Sequence, residues 1–206
     1  MNNAQRGREN EVQALQAIGS AGWLNATQVG KWVWGASNGH SARVSADRLL
    51  GRLSQRGAIK QRESGDGLNV YVLTRAGARL ANEPLTAQIF KDGYDLSQLD
   101  VGRQRVAVSF LIEQQHAGRI VLGRAAIRGA ISSKILDREL GGSDAVIYDD
   151  VRNEYTVALV VRNIHPECVK KGQKLLKAIA AVGGRLELLG DERVIRCFRR
   201  EMSQTA

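Results

Sequence analysis

Apolar and polar positions follow two different periods along this chain, and the switches between them mark its elements. Val12, Leu15 and Ile18 recur every three residues, the spacing of one face of a short amphipathic helix that ends near Gly19 to Gly22. Trp23 and Leu24 follow. Asn25 then offers a side-chain oxygen to the first turn of a second helix running through Gln28 to about Trp34, with Val29, Trp32 and Val33 on its apolar face. Gly35 through Gly39 breaks that pattern. Ser41 is placed as the cap of a third helix, Ala42 to Gln55, whose buried side is marked by Val44, Leu49, Leu50 and Leu53. Arg43, Asp47, Arg48, Arg52 and Arg56 occupy its other positions, so one face is rich in arginine. Gly57 stops this helix as a left-handed C-terminal residue would.

The period then shortens. Ala58 to Arg62 and Asn69 to Leu73 read as strands, joined by Glu63-Ser-Gly-Asp-Gly67 as a hairpin turn. Thr74 caps a fourth helix, Arg75 to Leu80. Residues 82–101 are polar, with Pro84, Gly93 and several Asp, and are assigned as a linker between domains 1–81 and 102–206. Beyond it, a helix is predicted from Gly102 to Gly118 with Val106, Phe110 and Leu111 in the core. Ile120 to Leu122 is a strand, and Ala125 to Leu140 is read as a helix because Ile127, Ile131 and Ile135 recur every four residues. Ala145 to Tyr148 and Tyr155 to Val161 are strands. Pro166 opens a helix ending at Gly183-Gly184, with Cys168, Leu175, Leu176 and Ile179 as buried candidates. Leu186 to Leu189 and Val194 to Phe198 are expected as closing strands. The fold class that results is α+β.

Composition narrows the functional classes. Among 206 residues, 43% are apolar and 25% charged, the balance of an ordinary globular chain. The apolar runs at Val106 to Ile112 and Val157 to Val161 fall well short of the ~20 residues a membrane span needs. The first residues lack the apolar core of a signal peptide, so a cytoplasmic location without a membrane partner is expected. Cys168 and Cys197 match no metal spacing, and His40, His116 and His165 are scattered, so no metal and no cofactor are expected. The formal net charge is +9, unevenly spread. Residues 1–81 carry 11 Lys/Arg against 5 Asp/Glu, a net +6, and residues 82–206 carry 19 against 16, a net +3. A basic segment of that kind suits a polyanion partner, or alternatively is a solvated face.

The order helix, helix, helix, hairpin, helix resembles a winged helix-turn-helix. Gly22-Trp-Leu-Asn-Ala-Thr-Gln-Val29 is similar to the family's entry to its second helix. Leu49 to Ile59 is similar to the end of its recognition helix, and Val70 to Arg79 to the exit from its wing. The resemblance implies that the third helix enters the major groove of duplex DNA. Asn38, His40, Ser41, Arg43 and Ser45 lie at or near the end of that helix that meets base edges, where Arg can pair with guanine and Asn with adenine. Arg48 and Arg52 flank it and suit phosphates, as do Lys60 and Arg62 on the wing. Asp66 at the wing tip disfavours a minor-groove contact. Trp23, Trp32 and Trp34 fall at a helix entry and on an apolar helix face, so core packing is expected in preference to base stacking.

The order of elements in residues 102–189 resembles the restriction-endonuclease-like fold. Active members hold a divalent ion with an Asp on the second core strand and a Glu-x-Lys on the third. Asp144, in Gly142-Ser-Asp-Ala-Val-Ile147, fits the first position. Val157 to Val161 carries neither an acid nor a lysine, and Glu154 and Arg162 lie outside it, so a non-catalytic relative is expected, not an enzyme. A winged helix joined to such a domain resembles the replication-relaxation family of plasmid and mobile-element proteins, including accessory mobilisation proteins. That resemblance implies a protein that binds origin DNA, assists a relaxase and represses its own operon. Because helix-turn-helix proteins bind as two-fold dimers, a homodimer on an inverted repeat in double-stranded DNA is expected, joined through residues 102–206. The competing readings are a metal-dependent nuclease and a protein-docking adaptor.

Overall fold

A computed structural model of the chain describes residues 2–35, 39–81, 100–123, 140 and 143–204. The expected helix over Ala125 to Leu140 lies outside these residues except for Leu140, which is buried, and Asn38 and most of the linker lie outside them too. The protein is mixed α and β, with two sheets among the described residues, and it divides into two compact units, Met1–Val101 and Gly102–Ala206.

In the first unit, α1 spans Asn3–Ala21, far longer than its apolar periodicity indicates. Its polar first half is held by local bonds: Asn2 accepts from the Gln5 backbone N–H at 2.8 Å, and the Gln5 side chain donates to Glu9 at 3.2 Å. Leu15 and Ile18 are buried, with Ala14 and Ala17 beside them. α2, Ala26–Trp34, opens with a capping box: Asn25 accepts from the Gln28 N–H, and Gln28 accepts in return from the Asn25 N–H, both at 2.9 Å. α3 spans Gly39–Gln55. It begins two residues before Ser41, so Ser41 is an exposed residue of the first turn and not the cap. Its core side is Ala42, Ala46, Leu49, Leu50 and Leu53, while Val44 is only half-buried. α2 crosses α3 at Gly30, where a Cβ would stand 2.9 Å from the Ala42 carbonyl oxygen.

β1, Ile59–Glu63, pairs antiparallel with β2, Asn69–Leu73, in the register Ile59–Leu73 to Glu63–Asn69. Leu24 adds a third, one-residue strand: it exchanges two backbone hydrogen bonds with Tyr71, at 2.8 and 3.2 Å. α4, Arg75–Leu80, starts at Thr74, whose hydroxyl accepts from the Gly77 N–H and donates to the Gly57 carbonyl at 2.7 Å. Trp23 and Trp32 are buried, Trp23 against Val70.

α5, Val101–His116, belongs to the second unit from its second residue onward. The sheet of this unit follows the order β3 (Ile120–Gly123), β4 (Ala145–Asp149), β5 (Glu154–Val161), β6 (Arg185–Gly190). β3, β4 and β5 are antiparallel neighbours. β6 lies parallel to β5, so a crossover is required, and α6, Pro166–Ala180, provides it. Val157 to Val161 are all buried, as a strand covered on both faces must be.

Three expectations change here. Val194 to Phe198 is not a strand but part of α7, Glu192–Gln204. Val194, Ile195, Phe198 and Met202 share one helical face packed on the core, and Asp191 accepts from the Arg193 N–H at 2.8 Å to start the helix. Val106 and Leu176 are exposed rather than buried, because Ala107 and Val108 in α5, and Val169 and Gly172 in α6, take the inner positions. Gly172 lets α6 and α7 touch: a Cβ there would stand 2.8 Å from the Met202 sulfur and 2.9 Å from the Phe198 ring.

Candidate nucleic-acid interface

The positions of α3 that its leucines leave open are His40, Arg43, Asp47, Arg48, Gly51 and Arg52, all exposed. The helix is anchored by Ala42 against Gly30 of α2 and by the buried Ala46 and three leucines behind, so its outer side chains project from a fixed rod. Ser41 is exposed on the first turn and Ser45 is half-buried one turn on. Arg43 lies 4.0 Å from Asp47, a loose pair between two exposed side chains worth at most about 1 kcal/mol, which leaves the guanidinium available to a stronger acceptor.

The arginines near the helix end have a different role. Glu11 of α1 reaches Arg52 at 3.6 Å and Arg56 at 2.6 Å, bracing α1 to the C-terminal half of α3. A phosphate contact by Arg52 therefore competes with an internal carboxylate. Arg48 has no such partner among the described residues. The helical phase also separates the set: Arg43 and Arg52, nine residues apart, stand about 180° from each other around the axis.

The hairpin supplies a second group of cations. Lys60 and Arg62 sit two apart on β1, so both point to one face, roughly 7 Å apart along the strand. They are exposed and lie opposite Val72 and Val70 in register. The turn is closed by Ser64, whose hydroxyl donates to the Asp66 carboxylate at 2.5 Å and whose N–H donates to the Leu68 carbonyl at 2.9 Å. Gly67 takes φ +74°, which suits glycine. Asp66 is thus turned into its own loop. Behind the hairpin, burial raises the Tyr71 phenol above its ordinary pKa, and the Asp47 carboxylate pushes it the same way.

In the second unit, Asp144 is 3% exposed and fully engaged. Arg103 of α5 grips it with two parallel bonds, Nε to Oδ1 at 2.7 Å and Nη2 to Oδ2 at 2.8 Å, and the Val160 N–H donates to Oδ2 at 2.8 Å. No sequence motif announced this pair, since its members are 41 positions apart. Glu154 is paired in register with Asp149, five residues from Asp144 and roughly 17 Å along the strand. It therefore brings no second carboxylate to Asp144. Among the described residues no three His, Cys, Asp or Glu side chains form a group able to hold a metal ion. No described helix is long and apolar enough to cross a membrane. Comparison of the chain with protein-family models, with characterised proteins and with solved structures gave no match.

Proposed function

We propose that this chain binds double-stranded DNA in a sequence-specific manner, through the outer face of α3 and the β1–β2 hairpin. The observation that carries this reading is the arrangement of the first unit. Three helices and a two-stranded hairpin are tied together by the Leu24–Tyr71 bridge, in the manner of a winged helix-turn-helix, with an uncovered basic helix beside a basic wing. A helix about 10–12 Å across fits the major groove, where Arg43 would meet base edges and Arg48 a phosphate. His40, Ser41 and Ser45 line the leading turns, with Asn38 just before them. Lys60 and Arg62 would hold the backbone beside the groove.

The second unit is read as a module for dimerisation or partner binding, in the element order of the restriction-endonuclease-like fold but without its chemistry. The Arg103 grip on Asp144 supports that choice over a nuclease, because a metal ion there would have to displace a bidentate guanidinium from a buried carboxylate. The biological setting follows from the sequence resemblance: an accessory factor beside a relaxase that also represses its own operon.

Footprinting of the protein on the DNA upstream of its own gene, with and without Mg²⁺, tests this. A protected inverted repeat with intact strands supports it. No protection at low salt removes it, and Mg²⁺-dependent cuts would restore the nuclease. Arg43→Ala should then relax preference at one base position by about 1–3 kcal/mol, whereas Lys60→Ala should weaken all sequences alike.

A further inference from the structure

The charge balance of the chain changes when the linker residues 82–101 are counted apart from residues 102–206. Residues 82–101 hold one lysine and four acidic residues, a net −3, and residues 102–206 hold 18 Lys/Arg against 12 Asp/Glu, a net +6. The second unit by itself is therefore as basic as residues 1–81. That excess is concentrated: α6 and α7 together carry 8 Lys/Arg against 3 Asp/Glu, a net +5.

Lys170, Lys174 and Lys177 follow i, i+4, i+7 along α6, and Arg193, Arg196 and Arg200 follow i, i+3, i+7 along α7. Each row lies opposite the residues its helix buries, Leu175 and Ile179 for α6 and Phe198 for α7. The two helices pack on one another at Gly172 and share one core over β5 and β6, so both rows face outward from the same layer. All six side chains are exposed.

Other arginines of this unit are neutralised from within. Arg103 pairs with Asp144, Arg119 and Arg152 with Asp149, and Arg185 with Glu154. Among the described residues, the six cations of α6 and α7 have no carboxylate within ion-pair distance. Six unneutralised charges on one layer repel one another, and a polyanion relieves that repulsion.

We propose that the outer layer of α6 and α7 is a second, sequence-independent contact for the phosphate backbone of double-stranded DNA. Each row is about 10 Å long, and a duplex of that length presents roughly six phosphates, so the charges match in number and reach. A lipid surface fits less well. Membrane-lying basic helices insert an apolar face, and the apolar face of α7 is already spent on Phe198 and the core. The proposal extends the DNA-binding reading but rests on different residues, so the two can fail separately.

The test measures affinity for a random-sequence duplex against salt concentration, using the full-length chain. The proteins compared are wild type, an α7 variant (Arg193→Gln, Arg196→Gln, Arg200→Gln), an α6 variant (Lys170→Gln, Lys174→Gln, Lys177→Gln) and a wing variant (Lys60→Gln, Arg62→Gln). Circular dichroism checks that each is folded, and either helix variant alone suffices. Loss of three phosphate contacts should flatten the log–log salt slope by about 2.7. Arg-to-Lys replacement at the three α7 positions should restore the slope. Wild-type slope and affinity in both helix variants would overturn this inference while leaving the α3 reading intact. A normal wing variant beside a weakened α7 variant would do the reverse. Failure of the wild type to bind any duplex, including binding only to phosphatidylserine vesicles, would overturn both.

Discussion

Gly30 and Gly51 show how one missing methyl group can act in opposite directions. Both lie inside helices, where glycine costs about 1 kcal/mol relative to alanine. At Gly51 a Cβ meets nothing within 4 Å, so Gly51→Ala should stabilise the protein by about 0.5–1 kcal/mol. At Gly30 the same Cβ would press on the Ala42 carbonyl, and backbone cannot swing aside as a side chain can. Gly30→Ala should therefore destabilise by about 1–3 kcal/mol and, on the proposed reading, weaken DNA binding, since the crossing sets where α3 stands. Urea unfolding of the two variants checks this; a Gly30→Ala protein as stable as wild type would mean the helices are free to part. Arg103 gives the larger effect. Arg103→Ala leaves a buried carboxylate with only the Val160 N–H, and should cost about 3–5 kcal/mol. Asp144→Asn should cost less, because its side-chain oxygen still accepts that N–H. Equal losses in thermal denaturation would show that the pair acts through packing and not charge. The sequence places Asp144 at a strand entry rather than as a metal ligand, but its partner is not legible there, because a carboxylate reveals nothing of a guanidinium 41 residues away.

At the scale of elements, legibility tracks the local signals. α2, β2 and α4 fall where the sequence puts them because Asn25 and Thr74 are caps that act on their own neighbours. α1 extends further than its pattern because its first half is stabilised by a cap and a charged brace, not by apolar contacts. α7 is not legible as a helix because Val-Ile-Arg-Cys-Phe is short enough to fit either period, and only Met202, one turn further on, completes the helical face. The basic face of α3 was visible as a run of arginines, but the brace that ties Arg52 to Glu11 depends on how α1 lies against it. The hairpin yields a pH prediction for the same reason. Tyr71 is a β2 residue whose hydroxyl is held neutral by burial first and by Asp47 of α3 second. Its folded pKa lies above its unfolded value of 10.0, so its contribution to stability is complete below pH 10 and lost as pH rises through the folded value. Between neutral pH and strong alkali, wild type should lose more thermal stability than Tyr71→Phe, with Asp47→Asn in between. Matching alkaline losses in wild type and Tyr71→Phe would place the titration elsewhere.

The whole molecule alternates in charge: a net +6 over residues 1–81, −3 over 82–101, and +6 over 102–206. The linker boundary and the helical face shared by Lys170, Lys174 and Lys177 are both legible in the sequence; the α7 helix that aligns three arginines is not, because Val194 to Phe198 fits a strand as well. Two basic units on one chain make binding a question of effective concentration. On the proposed reading, a duplex held by α3 would meet α6 and α7 of the same chain, and the second contact would become intramolecular. Linked contacts of this kind raise affinity by about 10²–10⁴ without any new interaction, but only on a duplex long enough for both units. Wild-type affinity should therefore climb steeply as flanking sequence is added to a fixed binding site, then level off. The Arg193, Arg196 and Arg200 glutamine variant should bind the shortest duplex as wild type does and gain little from added length. Fluorescence anisotropy over a series of duplex lengths separates the cases. If the variant gains as much from length as wild type, the two basic units do not act on one DNA molecule, and the charge of the second unit must be turned toward another partner.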